Sequence, residues 1–386
     1  MRIISKIILL AICVIVFFEI SLLWMFSGEN LISSPTKRNQ QFDSTVAASH
    51  KEIISSINTA ASFVQSYEPS YIQPQAQLIH VAVVVCGERT EEATTMLKSV
   101  TLFTKRQLYF HILAEDEHHD KIKSIINVWP CTDDGQVVYK VYSLEFPSGK
   151  SSGEWKSLFK PCAAQRLFLP SVLKNIDSLI YMDTDCLVLR PIEDVWQHFS
   201  DFNSTQLAAV SPEGEVPGLN WYKRFARHPY YGQLGINSGV MLMNLTRMRS
   251  HDWVENMLAI YKKYKLDITW GDQDILNIFF HFHPELLYVF NCEWNLRPDH
   301  CMYGSNCKTA QTNGISVLHG NRGAFHGTKW PVFKAVYDAI NEYHHGDDGI
   351  AALESLREEL GKFDQTYCGA LKDAILKHPW TISNRL

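Results

Sequence analysis

The sequence predicts an α/β protein in which a central sheet is flanked by helices. The segment LIHVAVVVCG, which starts at Leu78, is a continuous apolar run rich in β-branched residues, as expected for a strand buried on both faces of a sheet. TEEATTMLKSVTLF, with helical spacing, follows it, and the strand-like QLYFHILAE comes next. Strands that alternate with helices in this way are typical of β-α-β units and therefore of an α/β sheet.

The later elements continue this pattern as far as about Tyr343. Helices are predicted at DKIKSIINVW, at PCAAQRLFLPSVL and at IEDVWQHF, with the strand SLIYMD before the last of them. Short strands are predicted near QLAAV, NSGVMLMN and ISVLHG, and further helices near DQDILNIFFHF and VFKAVYDAINEY. Together they predict one domain at residues 78–345, with residues 346–386 as an extension that packs on it.

The composition is that of a globular protein and excludes several classes of function. Of the 386 residues, 46% are hydrophobic and 20% are charged. The formal net charge of −5 and the lack of a Lys/Arg-rich stripe argue against a nucleic-acid partner. The sequence VVVCGERT has no G-x-G-x-x-G, and no Walker-type lysine loop occurs, which argues against dinucleotide-binding and ATP-dependent enzymes.

The N-terminal segment is predicted to anchor the protein in a membrane. Residues 7–26, IILLAICVIVFFEISLLWMF, match the length of a helix that crosses a bilayer. A cleaved secretory signal is the alternative, although the apolar core of such a signal is only about 7 to 15 residues long. Arg2 and Lys6 place residues 1–6 in the cytosol by the positive-inside rule. Residues 27–77, rich in Ser, Gln, Asn and Thr, then form a predicted stem on the lumenal side.

The cysteines suit the oxidising compartment that this topology implies. Cys86 and Cys186 lie in apolar, strand-like segments, where a buried free thiol is expected. Cys301 and Cys307 bracket the turn-like MYGSN, so they are the pair predicted to be bridged. Up to three disulfides are expected in an oxidising lumen among six cysteines: Cys131, Cys162, Cys292, Cys301, Cys307 and Cys368.

The motif LIYMDTDCLVL carries the strongest functional signal. Asp183 and Asp185 lie on one face if the strand continues through the motif, while Thr184 points to the other face. Ligands bind at the carboxyl ends of strands in open α/β sheets. Two ionised carboxylates at such a rim repel each other, and desolvation adds several kcal/mol unless a cation offsets their charge. A divalent metal is therefore predicted here; a solvated turn and a structural calcium site are the alternatives.

Three motifs in this order resemble glycosyltransferase family 8, the retaining enzymes of the glycogenin and lipopolysaccharide galactosyltransferase type. They are DTD at 183–185, GINSGVMLMNLTRM at 235–248 and GDQDILN at 271–277. The resemblance covers residues 78–345 and implies a GT-A fold, in which a Rossmann-like mixed sheet binds a nucleotide sugar and C-terminal segments complete an acceptor half. EWNLRPDHCMYGSNC and ISVLHGNRGAFH look closest to the glucoside xylosyltransferases.

This resemblance implies a reaction and a location. The implied reaction transfers xylose from UDP-xylose, in α1,3 linkage, to O-linked glucose on epidermal growth factor-like repeats of Notch-type proteins. The implied location is the Golgi or endoplasmic reticulum membrane, with a single type II span and a lumenal catalytic domain. Two alternatives stay open: a related enzyme of the family that uses another UDP-sugar, and a membrane-anchored glycan-binding protein without catalysis.

Carried over by position, the resemblance also implies a metal site. Asp183 and Asp185 are assigned to a Mn²⁺ that holds the diphosphate of the donor, with Asp183 near the ribose. His319, after the predicted strand ISVL, is assigned as the third ligand, and His326 is the alternative imidazole. Two carboxylates, an imidazole and phosphate oxygens suit Mn²⁺ or Mg²⁺ better than zinc, which favours thiolates.

The donor site is implied in the same way. Arg166 matches an arginine that the family turns toward the donor, and a surface helix arginine is the alternative. Gly239, without a side chain, would let the sugar approach closely, although a glycine in a strand is equally consistent with a bulge. The family ending His-x-x-Gly-x-x-Lys-Pro-Trp is altered here, so both Arg322 and Lys329 stay candidates for neutralising the diphosphate. The residues assigned to the donor are Val85, Cys86, Gly87, Arg89, Arg166, Asp183, Asn237, Ser238, Gly239 and Lys329.

The motif GDQD is assigned to catalysis. The family places Gln273 beneath the anomeric carbon and uses Asp272 and Asp274 to hold sugar hydroxyls, whereas helix capping is the alternative for Asp272. No carboxylate is dedicated as a nucleophile. Front-face attack, in which the leaving phosphate accepts the proton of the acceptor, is therefore favoured over a covalent glycosyl intermediate, with Gln273 stabilising positive charge on the sugar.

Overall fold

The computed structural model describes residues 78–146, 155 and 163–383. The predicted cytosolic tail, membrane span and stem lie outside these residues. Within the described part of the chain, no helix combines the length and the apolar character that crossing a membrane requires.

A mixed seven-stranded sheet forms the centre of the described chain. In chain order, the strands of the structure are β1 (Ile79–Val85), β2 (Leu108–Ala114), β3 (Val137–Ser143), β4 (Ser178–Met182), β5 (Cys186–Val188), β6 (Ala208–Pro212), β7 (Ile236–Asn244), β8 (Leu287–Val289) and β9 (Val317–His319). The large sheet has the order β3-β2-β1-β4-β7-β6-β8, and β5 pairs with β9 in a separate small sheet. Strands β3, β2, β1 and β4 are mutually parallel, whereas β7 runs antiparallel to both β4 and β6.

Helices pack on both faces of this sheet. The α-helices of the described chain are α1 (Thr90–Leu102), α2 (His119–Ile126), α3 (Pro130–Asp133), α4 (Leu169–Val172), α5 (Ile192–Trp196), α6 (Trp221–Phe225), α7 (Leu245–Ser250), α8 (Trp253–Tyr264), α9 (Asp272–Phe282), α10 (Lys308–Asn313), α11 (Pro331–Glu342), α12 (Gly349–Gly361) and α13 (Lys372–Ser383). On one face, Val81 of β1 joins a buried cluster with Met96 of α1. On the other face, Ala82 lies in a cluster with Trp253 and Phe280. Burial on both faces explains why β1 is almost entirely apolar.

A third buried cluster joins the small sheet to the C-terminal helices. Leu187 of β5 and Leu318 of β9 pack with Val336 of α11 and Ile375 of α13. The two strands are antiparallel, and Cys186 is the register partner of His319. The C-terminal segment therefore supports the strand that directly follows the DTD motif and the strand that carries the candidate imidazole ligand.

Most elements predicted from the sequence are present, and the mixed α/β class is confirmed. The segment predicted as one helix at PCAAQRLFLPSVL differs, because Ala163–Phe168 is a 3₁₀ helix and only Leu169–Val172 is α-helical. Pro170 explains part of this, since its missing N–H restricts it to the first turn of a helix. The strands β3 and β8 were not predicted. The three residues of β8 carry too little periodicity to distinguish a strand.

The disulfide predicted between Cys301 and Cys307 is wrong. Cys292 pairs with Cys307, and Cys301 pairs with Cys368 of the C-terminal segment, with Cα atoms 5.9 and 5.0 Å apart. Each partner lies on a different loop, so closeness in sequence was a poor guide to closeness in space.

The bonding states of Cys86 and Cys131 also differ from the prediction. Cys86 is disulfide-bonded instead of being a free buried thiol. It follows the last residue of β1 and is partly exposed, so it lies outside the apolar core in which it was expected. Cys131, expected among the bridged set, is a buried free thiol, and Cys186 is buried and free as predicted.

Loss of the Cys301–Cys368 bridge, through Cys301→Ala and Cys368→Ala, is expected to lower the free energy of unfolding by about 2 to 4 kcal/mol. This bridge spans 67 residues and the Cys292–Cys307 bridge spans 15, so its loss frees more of the unfolded chain. Urea unfolding of this double variant and of the one with Cys292→Ala and Cys307→Ala measures the difference in unfolding free energy between the two losses. Cys131→Ala is the control that removes a thiol but no bridge. A larger loss from the shorter bridge would contradict the expectation.

Candidate active site

A large cavity opens at the carboxyl ends of β1 and β4. Its volume is about 1130 Å³, and its walls come from segments between Val84 and Tyr337. The residues predicted from the sequence that line it are Cys86, Gly87, Arg89, Arg166, Asp183, Asp185, Asn237, Ser238, Asp272, Gln273 and His319. Chain segments that are far apart in the sequence thus contribute to a single site.

The DTD motif forms a turn at the edge of this cavity. Strand β4 ends at Met182, and the N–H of Cys186 donates to the carbonyl of Asp183 at 3.2 Å. The predicted alternation along a continuing strand is therefore wrong at these residues. The hydroxyl of Thr184 donates to Glu92 Oε1 at 2.6 Å. Asp185 is buried, and the Asp183 side chain is 25% exposed.

His319 lies next to Asp185 because β5 and β9 pair. Its Nε2 is 3.3 Å from Asp185 Oδ1. Ligand atoms of Asp185, His319 and Cys186 lie within 4.8 Å of one another, and Asp183 is outside this group. Burial raises the pKa of the Cys186 thiol well above its ordinary value, so Cys186 stays a neutral thiol. The side chains available to ligate a metal ion are therefore a carboxylate and an imidazole, a set that suits Mn²⁺ or Mg²⁺.

Asp183 belongs to a buried ion-pair network. Arg166 donates from Nη2 to Asp183 Oδ1 at 2.7 Å, and its Nε is 2.5 Å from Asp272 Oδ2. Its Nη1 donates to the carbonyl of Ser238 at 2.6 Å, and its guanidinium lies over the ring of Tyr181, 4.4 Å from the centroid. The alternative of a surface helix arginine is wrong. Burial raises the pKa of Asp272 to about 6, although Arg166 opposes this shift.

The carboxamide of Gln273 is held at the cavity floor. Its Oε1 accepts from the N–H of Ser238 at 3.2 Å. Its Nε2 donates to Glu213 Oε2 at 3.3 Å and to the hydroxyl of Tyr222 at 3.2 Å. Every polar atom of this amide therefore has a partner, which fixes its orientation in the cavity.

Glu213 and Arg297 were missed by the sequence analysis. Arg297 is fully buried, and its Nη1 is 2.7 Å from Glu213 Oε2, which also accepts from Asn237 Nδ2 at 2.8 Å. Glu213 directly follows β6, so the rule that ligands bind at strand ends could have found it. The structure places its carboxylate beside the amide of Gln273.

Four predicted residues, Val85, Gly239, Asp274 and Lys329, do not line the cavity. Asp274 is fully buried, where it accepts from the Tyr222 hydroxyl at 2.8 Å and from the backbone N–H groups of Thr269 and Trp270. The side chain of Val85 lies in the core, although the next residues face the cavity. Lys329 is exposed, with its Nζ 5.1 Å from the ring centroid of Trp330.

Arg322, the alternative to Lys329 as the cation for the diphosphate, lies in the wall of the cavity. Its Nη2 forms an ion pair with Asp299. His326 also lines the cavity, but its Nε2 is 2.6 Å from Glu92 Oε2 and it lies outside the group around Asp185. Of the two predicted cations, Arg322 is therefore the one that can reach a ligand in the cavity.

Gly239 has a different role from the one predicted. A Cβ at this position would lie 2.2 Å from Cε1 of His319, well inside van der Waals contact. Gly239 does not line the cavity, whereas its neighbour Ser238 does. The missing side chain therefore makes room for the imidazole of His319 instead of a sugar.

Comparison with known proteins gives consistent matches. The model of the family described as glycosyl transferase family 8 matches residues 80–322. Glucoside xylosyltransferase 1 of Gallus gallus is 52% identical over 325 residues, which cover 81% of this chain and 74% of that protein. Glucoside xylosyltransferase 1 of Homo sapiens is 52% identical over 318 residues, covering 79% and 71%.

A solved structure adds a match of fold alone. The apo structure of the WbbM bifunctional glycosyltransferase superposes with a TM-score of 0.51 at 13% identity, covering 73% of this chain and 51% of that one.

Proposed function

The chain belongs to glycosyl transferase family 8, and from this premise we propose that it is a retaining glucoside xylosyltransferase that uses UDP-xylose. The observation that carries the proposal is the 52% identity to glucoside xylosyltransferases over about four fifths of the chain. The arrangement of the site supports it, since carboxylates, an imidazole and an amide meet around one cavity.

We propose a divalent cation, Mn²⁺ or Mg²⁺, at Asp185 and His319, with Asp183 beside it. When bound, such a cation would stabilise the negative charge that develops on the departing diphosphate. Asp185 Oδ1 and His319 Nε2 support this placement because they offer a carboxylate oxygen and an imidazole nitrogen as ligands, 3.3 Å apart. Arg322, and not Lys329, is the cavity cation available to the diphosphate.

We propose that Gln273 faces the anomeric carbon and that the reaction follows the front-face route. The donors and acceptors around its amide are all protein groups, so the amide is held in place before substrate binds. Asp274 would then act through Tyr222, whose hydroxyl donates to Asp274 and accepts from Gln273. Asp272 would keep Arg166 in place beside Asp183.

For the acceptor we propose O-linked glucose on an epidermal growth factor-like repeat of a Notch-type protein. The cavity rim includes exposed apolar side chains, with Leu219 51% and Tyr303 72% exposed. Such groups contact the apolar parts of a polypeptide or the faces of a sugar ring. They support an acceptor that is larger than a free sugar.

For location we propose a type II membrane protein of the Golgi or endoplasmic reticulum. The apolar segment at residues 7–26 and the basic residues before it support this proposal. The bridges Cys292–Cys307 and Cys301–Cys368 support a lumenal catalytic domain, since disulfides persist in oxidising compartments.

The lumenal part is expected to release UDP from UDP-xylose in the presence of Mn²⁺ and an O-glucosylated repeat. Incubation with a panel of UDP-sugars, with and without that repeat, measures the donor and the acceptor together. UDP-glucose, UDP-galactose and UDP-glucuronic acid are the comparison donors, and the unglucosylated repeat is the comparison acceptor.

Each outcome separates one part of the proposal. Turnover with another UDP-sugar in preference to UDP-xylose would overturn the donor but not the family. Binding of the glycan without turnover of any UDP-sugar would favour a glycan-binding protein. Removal of divalent cations with EDTA should abolish turnover, and addition of Mn²⁺ should restore it.

A further inference from the structure

We propose that Asn295 is a positioning residue for His319, and that it prepares the imidazole for the divalent cation shared with Asp185. This inference rests on the metal site of the proposed function. The side chain of Asn295 is fully buried beneath the cavity. Its Oδ1 is 2.8 Å from His319 Nδ1.

The direction of this hydrogen bond is fixed by a chain of partners. Asn237 Nδ2 donates to the carboxylate of Glu213 at 2.8 Å, so Asn237 Oδ1 must be its acceptor atom. That Oδ1 accepts from the N–H of Gly239 at 3.0 Å and from Asn295 Nδ2 at 2.8 Å. The remaining atom of the Asn295 amide, Oδ1, is then an acceptor as well.

It follows that the Nδ1 of His319 carries a proton and donates it to Asn295. In that tautomer the Nε2 carries a lone pair. The atom opposite it is Asp185 Oδ1, at 3.3 Å, which is also an acceptor. Two acceptors at this distance repel one another unless they share a proton or a metal cation, and a divalent ion held by both atoms satisfies both.

Gly239 lies directly against the same ring. A Cβ there would be 2.2 Å from Cε1 and 2.6 Å from Nδ1 of His319. The backbone of Gly239 has ordinary negative φ, so the position would accept alanine if the ring were absent. A hydrogen-bond acceptor and a position that tolerates no side chain therefore both determine where the Nε2 of His319 points.

The test measures the affinity for Mn²⁺ alone, from the loss of the free-ion signal in electron paramagnetic resonance, with no nucleotide or acceptor present. Asn295→Leu is expected to weaken Mn²⁺ binding by about 10- to 100-fold. Asn295→Asp keeps an acceptor for the Nδ1 proton but loses the donor to Asn237 Oδ1, so the Mn²⁺ affinity should fall less than in Asn295→Leu. Gly239→Ala leaves the hydrogen bond donors and acceptors in place but displaces the ring, and should weaken binding to a similar extent.

Asn244→Leu is the matched control, because Asn244 lies at the far end of β7 and caps α7. It should lose some stability, measured by thermal unfolding, without losing Mn²⁺ affinity. If Asn295→Leu does not fold, Asn295→Ala removes the same hydrogen bond and decides the question. Unchanged Mn²⁺ affinity in a folded Asn295→Leu or Asn295→Ala variant would overturn the inference. Absence of Mn²⁺ binding by the wild-type protein would instead overturn the metal site itself.

Discussion

Replacing Asp185 by Asn is expected to reduce turnover by about 1000-fold or more while the protein stays folded. Asp185 is the one carboxylate whose oxygen faces the Nε2 of His319, at 3.3 Å, among the described residues around that ring. An amide oxygen at this position keeps the shape of the side chain but removes its negative charge. The loss of the cation's transition-state stabilisation would cost several kcal/mol, and each 1.36 kcal/mol is a factor of ten in rate.

Release of UDP in a steady-state assay measures this effect, with circular dichroism to show that Asp185→Asn is folded. Asp338→Asn is the matched control, since Asp338 lies on α11 and pairs with Lys334 away from the cavity. The control should retain full activity. Wild-type turnover in Asp185→Asn would rule out a role for this carboxylate in the reaction.

Replacing Arg166 by Met is expected to lower the free energy of unfolding by about 3 to 5 kcal/mol near neutral pH, and to remove activity. Arg166 is buried between Asp183 and Asp272, and Met would leave both carboxylates without their cation. Urea unfolding measures the effect. Arg249→Met is the control, because Arg249 donates to the carbonyls of Pro170 and Ile176 and should cost less.

The stability lost in Arg166→Met is expected to depend on pH. Burial raises the pKa of Asp272 to about 6, so the folded protein binds this proton more tightly than the unfolded chain does. The stability that protonated Asp272 contributes is therefore fully present at low pH. It is lost as the pH rises from 3.8, the ordinary pKa of this carboxyl group, through about 6, its pKa in the folded protein. Without Arg166 the pKa of Asp272 rises further, so the decrease continues above pH 6.

Unfolding experiments at about pH 5, 6.5 and 8 test this sign. The difference between the wild type and Arg166→Met should grow as the pH increases. A difference that stays constant over this range would mean that Asp272 does not titrate in it, and a difference that shrinks would contradict the assignment of Arg166 as its counter-ion.

Much of the site could be predicted from local sequence patterns. Asp183 and Asp185 follow an apolar strand, and this local signal placed them at the rim of the sheet. His319 was placed at the end of a short strand by its family motif, and β9 does end at His319. These predictions succeeded because strand ends converge on one edge of an α/β sheet.

The remaining features depend on contacts between distant segments. Glu213 meets Gln273 only because β6 ends and α9 begins at the same cavity, which no local pattern shows. The prediction for Gly239 failed because the group that fills the space beside it is a ring from 80 positions later in the chain. The pairing of Cys301 with Cys368 was missed for the same reason.

The pairing of β5 with β9 has a consequence for biosynthesis. The acidic turn is made early on the ribosome, whereas the imidazole that completes it emerges much later, and the helices that support both strands come last of all. A truncated polypeptide that stops before His319 holds the acids without the imidazole, and one that stops before α13 lacks a helix that supports β5 and β9. Premature stop codons downstream of the aspartates should thus yield inactive protein.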